Sequence, residues 1–136
     1  MSKNNSFDET SIIKEAINNN RIVAKYQPIV SLVKKKVVAF EGLTRGINVL
    51  NSDFISPLKM FEYARNNGMS TVLDRLCREK CIEGFKDIYS MNDEWYLFIN
   101  VDASVIEQAE GSNYLLNQVL KQGISPKNIV IEINES

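Results

Sequence analysis

The feature that most restricts the fold is an alternation of helix-period segments and apolar strands across the carboxyl-terminal two thirds of the chain. Trp95, Tyr96, Leu97, Phe98 and Ile99 form one unbroken apolar run, and residues 128–133, with Val130 and Ile131, form another. Between them, residues 113–122 carry a helical pattern stopped by Gly123. Strands joined through a helix have the crossover that parallel neighbours need. An unbroken apolar strand is also the pattern of one buried on both faces. Upstream, Ser56-Pro57 supplies an N-cap and an N1 proline for a helix closing at Asn67-Gly68. A longer helix follows over residues 70–89, with Leu73, Leu76, Cys77, Cys81 and Phe85 on its apolar side. The order helix, helix, strand, helix, strand predicts an α/β fold with a parallel sheet.

The amino-terminal part breaks that rhythm. Residues 22–33 and 37–43 are rich in β-branched side chains, and only Lys34, Lys35 and Lys36 separate them. So short a link cannot cross over, which predicts an antiparallel hairpin. The lysine run reads as a solvated turn and not as a nucleic-acid patch. Ahead of it, Ser6-Phe7-Asp8-Glu9 fits a capping box, and Ile12, Ile13, Ala16 and Ile17 make a helical stripe. The expected organisation is an N-terminal helix over residues 1–19 and one further unit over residues 20–136.

Composition excludes several chemistries. The chain has no histidine, so a histidine base or a histidine-ligated metal is ruled out within it. Its two cysteines, Cys77 and Cys81, lie at i,i+4 on one helical face and read as reduced, packed thiols. Two thiolates alone cannot close a zinc site. A metal bound here must use oxygen ligands, which favours magnesium, manganese or calcium. With 16 basic against 17 acidic residues, no global field draws a nucleic-acid polymer or an anionic membrane. No apolar run approaches the roughly 20 residues of a membrane helix, and Met1 to Ser6 lack the apolar core of a signal peptide. The expectation is a cytoplasmic domain without direct membrane contact, compatible with a membrane-anchored parent.

Three strands run into oxygen-bearing side chains: Glu41 after 37–40, Asn100 after 95–99, and Glu132 within 128–133, with Glu135 just beyond. In α/β barrels the reactive groups lie at the carboxyl ends of the strands, where they converge. Two carboxylates and an amide carbonyl at one point make a hard-cation site. Each residue has a plainer reading too. Glu41 can be the first exposed residue after a strand, and Asn100 a turn former or cap. Glu132, flanked by Ile131 and Ile133, is harder to dismiss, because a buried carboxylate without a partner is costly.

In order along the chain stand Tyr26-Gln27-Pro28-Ile29-Val30, Phe40-Glu41-Gly42-Leu43-Thr44-Arg45, Leu73-Asp74-Arg75, Phe98-Ile99-Asn100-Val101 and Ile131-Glu132-Ile133-Asn134-Glu135-Ser136. Together they resemble the motifs of the EAL family of cyclic-di-GMP phosphodiesterases, over about residues 20–136. The resemblance implies the amino-terminal half of a (β/α)8 TIM-type barrel that begins with an antiparallel strand; a whole barrel typically takes about 250 residues, so the chain is expected to be truncated. It implies Mg2+ or Mn2+ as cofactor, with Glu41, Asn100 and Glu132 as metal ligands and Glu41 and Glu135 in the catalytic set, Glu135 bracing a loop. Arg45 would hold a substrate phosphate, and Gln27 and Asp74 would contact the nucleotide. For Arg45 a surface salt bridge is the alternative, and for Asp74 a helix-face ion pair with a neighbouring basic residue.

The chain departs from the pattern at Gly42, Thr44 and Asn134, where the family usually has alanine, leucine and threonine. Lying beside the ligands, these are expected to bear on nucleotide affinity and loop ordering more than on metal chemistry. An Asp-Asp pair, a lysine and a further glutamate of the family's second half are absent. The implied function is therefore a phosphodiesterase fragment without turnover of its own, or else a degenerate module that binds cyclic-di-GMP or a protein partner. An uncovered half-barrel is further expected to self-associate as a homo-oligomer.

Overall fold

The computed structural model describes residues 8–108 and 110–134. Helix α1 (Glu9–Asn18) starts later than the capping-box reading placed it: Asp8 is the N-cap, its Oδ1 accepting from the Ser11 amide at 2.9 Å. Ser6 and Phe7 lie outside the described residues. Strands β1 (Ile22–Ser31) and β2 (Lys36–Ile47) form the expected antiparallel hairpin. A two-residue strand β3 (Phe54–Ile55), too short to leave a sequence signal, adds to β2. Helix α2 (Pro57–Asn66) opens on Ser56, whose Oγ accepts from the Lys59 amide at 3.3 Å. Its exit passes through Gly68 at φ +68°, a left-handed conformation that favours glycine. Then follow α3 (Ser70–Met91), β4 (Tyr96–Asp102), the single turn α4 (Ala103–Ile106), α5 (Gly111–Lys121), a 3-10 turn (Pro126–Asn128) and β5 (Ile129–Asn134).

The sheet order is β1-β2-β4-β5, antiparallel in the hairpin and parallel from β2 onward. All helices that pack on it contribute to one layer. Ile13, Ala16 and Ile17 of α1 meet Met60, Ala64 and Leu73 at one end. Cys81, Ile82 and Phe85 of α3 meet Leu97, Ile99, Leu115 and Val119 at the other.

One expectation fails. Strand β4 is not buried on both faces: Leu97, Ile99 and Val101 are buried, whereas Tyr96 and Asn100 are exposed. The apolar run looked two-sided because Tyr96 and Phe98 carry rings on the face away from the helices. That face is covered by no helix among the described residues.

Strand alternation also reassigns two of the departures from the family pattern. Gly42 and Thr44 stand on the face toward α3, opposite to Glu41. A Cβ on Gly42 would lie 2.9 Å from Cys81 Sγ and 3.1 Å from its Cβ, and Thr44 hydrogen-bonds the Cys77 thiol. The glycine makes room for a cysteine on the face opposite Glu41, and both Gly42 and Thr44 also line the cleft at the strand ends. Gly42→Ala alone is expected to cost about 1–3 kcal/mol by overpacking, with most of the loss recovered in Gly42→Ala/Cys81→Ala. Urea denaturation of the singles and the double reads this coupling, and strictly additive losses would show the two positions to be independent.

Candidate metal centre

Strands β2 and β4 pair only from Ala39↔Tyr96 to Gly42↔Ile99 and then part. Beyond that point β2 turns to β1 and β3, while β4 stays with β5 through Asp102↔Asn134. Glu41 therefore sits inside β2, at the end of its parallel section and not at the end of the strand. The fork is a cleft of about 440 Å3 at the carboxyl ends of the strands, lined by Arg45, Asn100 and Asn134 and floored by Asp74, Cys77 and Arg78 of α3. Divergence of neighbouring strands at their carboxyl ends is where α/β sheets place ligands. A larger hollow of about 770 Å3, around Lys36, Trp95 and Asn128, lies at the amino-terminal end of the strands, away from these groups.

Glu41, Asn100 and Glu132 share the face turned away from the helices. Asn100 and Glu132 are register partners, and the Asn100 Nδ2 donates to Glu41 Oε2 at 3.3 Å. Burial, then the Glu41 side chain, raise the Glu132 carboxyl above its ordinary value. One proton can be shared between the two carboxyls; when both ionise, neither has a donor to offer. The buried Glu132 Oε1 has no hydrogen-bond partner. An orphaned carboxylate oxygen facing a second carboxylate fits a cation.

The amide is turned less favourably. Asn100 points its NH2 at Glu41, and its Oδ1 accepts from Asn134 Nδ2 at 3.2 Å. To ligate through oxygen, it must exchange these two atoms, a choice the hydrogen-bond network decides. Asn134 is thus the departure from the family pattern that does reach a candidate ligand. Among the described residues no group of three or more His, Cys, Asp or Glu gathers at one point, so the set is two carboxylates plus an amide. Glu135 lies outside the described residues.

Gln27 is the register partner of Glu41 on β1 and is exposed, which places it on the same face. Arg45 lines the cleft; its Nη1 donates to the Thr44 carbonyl at 2.7 Å, and among the described residues it makes no ion pair. Asp74 also lines the cleft, but its carboxylate is engaged. Oδ2 pairs with Arg78 Nη1 at 2.5 Å, and Oδ1 accepts from the Asp102 amide at 3.3 Å. The helix-face ion pair foreseen for Asp74 therefore exists, with Arg78 and not with the adjacent Arg75. Arg78 is the residue that sequence reasoning missed; its i,i+4 spacing from Asp74 was the available signal. Burial pushes the Cys77 thiol to about 11 and the Cys81 thiol to about 12, so neither is a thiolate near neutral pH.

Comparison with known proteins bears on the family and the fold. The family model described as "EAL domain" matches residues 10–136. The probable cyclic di-GMP phosphodiesterase PdeB of Escherichia coli (strain K12) is 27% identical over 123 residues, which are 90% of this chain and 24% of that protein. An EAL domain protein from Listeria monocytogenes EGD-e superposes with a TM-score of 0.77 at 22% identity, covering 96% of this chain and 51% of that one. Klebsiella pneumoniae BlrP1, solved as a calcium/cy-diGMP complex, gives a TM-score of 0.68 at 23% identity over 83% of this chain and 27% of that one. The chain thus spans a quarter to a half of the length of these relatives. The likeness shows the fold, an arc of the (β/α)8 TIM-type barrel.

Proposed function

Because the chain belongs to the EAL domain family, we propose that it forms one side of the site of a cyclic-di-GMP phosphodiesterase and cannot turn over substrate by itself. The observation that carries this reading is the facing pair Glu41 and Glu132, with its orphaned oxygen, beside Asn100, which itself lines the cleft. Glu41, Glu132 and Asn100 would hold a divalent cation, Mg2+ or Mn2+. Bound there, such an ion polarises a phosphate and lowers the pKa of water. Arg45, without an acidic partner among the described residues, offers a guanidinium to a phosphate oxygen, a charge-assisted contact. Gln27, across from Glu41, is placed to touch a nucleotide lying on that face. Asp74, buried and engaged by Arg78 and the Asp102 amide, would act on the nucleotide only by shaping the cleft floor. Glu135 is assigned the loop-bracing role that its motif implies.

Hydrolysis opens one phosphodiester by water and gives the linear dinucleotide. Two carboxylates and one amide are too few protein oxygens to fix two cations about a phosphate, which is why turnover requires ligands from outside this residue set. Incubated with Mn2+ and cyclic-di-GMP, the 136-residue chain is expected to yield no linear dinucleotide by chromatography, while equilibrium dialysis with Ca2+ detects nucleotide binding that Arg45→Ala weakens. Product that disappears in Glu41→Ala would show that copies of the chain assemble a working site and overturn the claim of inactivity. Absence of any nucleotide binding would overturn the site assignment itself.

A further inference from the structure

The hairpin between β1 and β2 presents an apolar pair that the described residues leave uncovered. Leu32 is 88% exposed and Val33 92%, the two highest values among the large apolar side chains described. The turn is well built. Ser31 Oγ accepts from the Lys34 amide at 3.0 Å, the Ser31 carbonyl accepts from the Lys35 amide at 2.7 Å, and Lys35 takes a left-handed φ of 56°. The exposure is therefore a property of an ordered turn.

Lys34, Lys35 and Lys36 follow the pair directly and are all exposed. Lys127, from the 3-10 turn, lines the same hollow as Lys34 and Lys36, where Asp93 and Glu94 are the acidic neighbours. Among the described residues none of these four lysines forms an ion pair. The near-zero charge of the whole chain speaks against membrane attraction, but that balance is a global average. From Ser31 to Lys36 the charge is purely positive.

We infer that this hairpin tip docks on an anionic lipid bilayer, with Leu32 and Val33 entering the headgroup region and Lys34, Lys35 and Lys36 lying against the acidic surface. Charge complementarity selects this occupant: juxtamembrane lysines are attracted to anionic leaflets, and short aliphatic side chains suit the acyl boundary. A nucleic acid would be met by aromatic side chains on which bases stack; residues 31–36 carry none, those of the adjoining hollow being Tyr89, Trp95 and Tyr96. Glu41 lies five residues along β2 from Lys36, about 17 Å at strand rise. Docking through the tip therefore leaves the cleft facing away from the bilayer.

The test is sedimentation of the 136-residue chain with phosphatidylcholine vesicles, with and without phosphatidylserine. Binding is expected only with phosphatidylserine and falls as salt is raised. Lys34→Gln/Lys35→Gln/Lys36→Gln should weaken it on the order of a hundredfold, at about fivefold per lysine. Leu32→Ser/Val33→Ser should weaken it on the order of tenfold. All five side chains are exposed, so unchanged circular dichroism is expected of both variants. No sedimentation with phosphatidylserine vesicles overturns the inference. So does full binding by the Leu32→Ser/Val33→Ser variant, which would reduce the tip to a general polyanion patch or move the contact to the open sheet face.

Discussion

Replacing Arg78 with alanine is expected to destabilise the chain by about 3–5 kcal/mol, the cost of stranding one partner of a buried ion pair. The Arg78 side chain is fully buried and that of Asp74 nearly so. Beyond the ion pair, Arg78 Nε donates to Gln118 Oε1 at 2.7 Å, and Gln118 Nε2 donates to the Arg75 carbonyl at 3.1 Å. The cluster therefore ties α5 to α3 and, through Asp74 and the Asp102 amide, ties α3 to the end of β4. Burial pushes the Asp74 carboxyl up and the Arg78 guanidinium down, against their mutual attraction. Loss of the guanidinium leaves the buried Asp74 carboxylate with one backbone donor. Since the large term is the stranded charge, Asp74→Leu/Arg78→Met should recover most of the stability lost in Arg78→Ala. Denaturant titration with an unchanged m value checks both variants. A loss below about 1 kcal/mol in Arg78→Ala would place the pair in the class of exposed ion pairs and contradict its burial.

Much of this architecture was legible because period and punctuation agree. Ser56-Pro57 and Gly68 bound α2 as their side-chain chemistry requires, and the three-lysine link forced an antiparallel hairpin between strands that β-branching had already marked. The strand-end logic also brought Glu41, Asn100 and Glu132 to one face from three separate strands. What escaped was information that only the third dimension carries. A continuous apolar run does not say how many faces are covered, so β4 read as two-sided. Gly42 and Thr44 adjoin Glu41 in sequence but face α3, and their partners Cys77 and Cys81 stand more than 30 positions away. Arg78 was hidden because a charged residue on a helix is ordinarily solvated, and only the packing of α5 on α3 makes it buried. The orientation of the Asn100 amide was likewise undecidable from sequence, since Asn134 reaches it from a neighbouring strand.

If the carboxylate pair holds a cation as proposed, the chain's stability is expected to depend on cations and on pH in opposed ways, which gives the second large effect. The folded-state pKa of Glu132 is raised, first by burial and then by Glu41, above the ordinary value of about 4.3 for the unfolded chain. For a raised group the stabilising contribution is complete below the unfolded pKa and disappears as pH rises through the folded one. Without a cation, the pair therefore weakens the fold as the solution moves from acid toward neutral pH. A divalent cation reverses this by supplying the positive charge that the shared proton supplied. At a hundred times its dissociation constant it contributes about 2.7 kcal/mol, which is roughly 10 °C in Tm for a domain of this size. Thermal melts with and without Mn2+ should show that shift at neutral pH, shrinking as protons displace the metal. Glu132→Gln keeps the shape, removes the repulsion and the ligand together, and should melt higher than the parent without Mn2+ while responding to it hardly at all. A Mn2+ shift that survives in Glu132→Gln would place the cation elsewhere on the chain, and with it the chemistry assigned to this face.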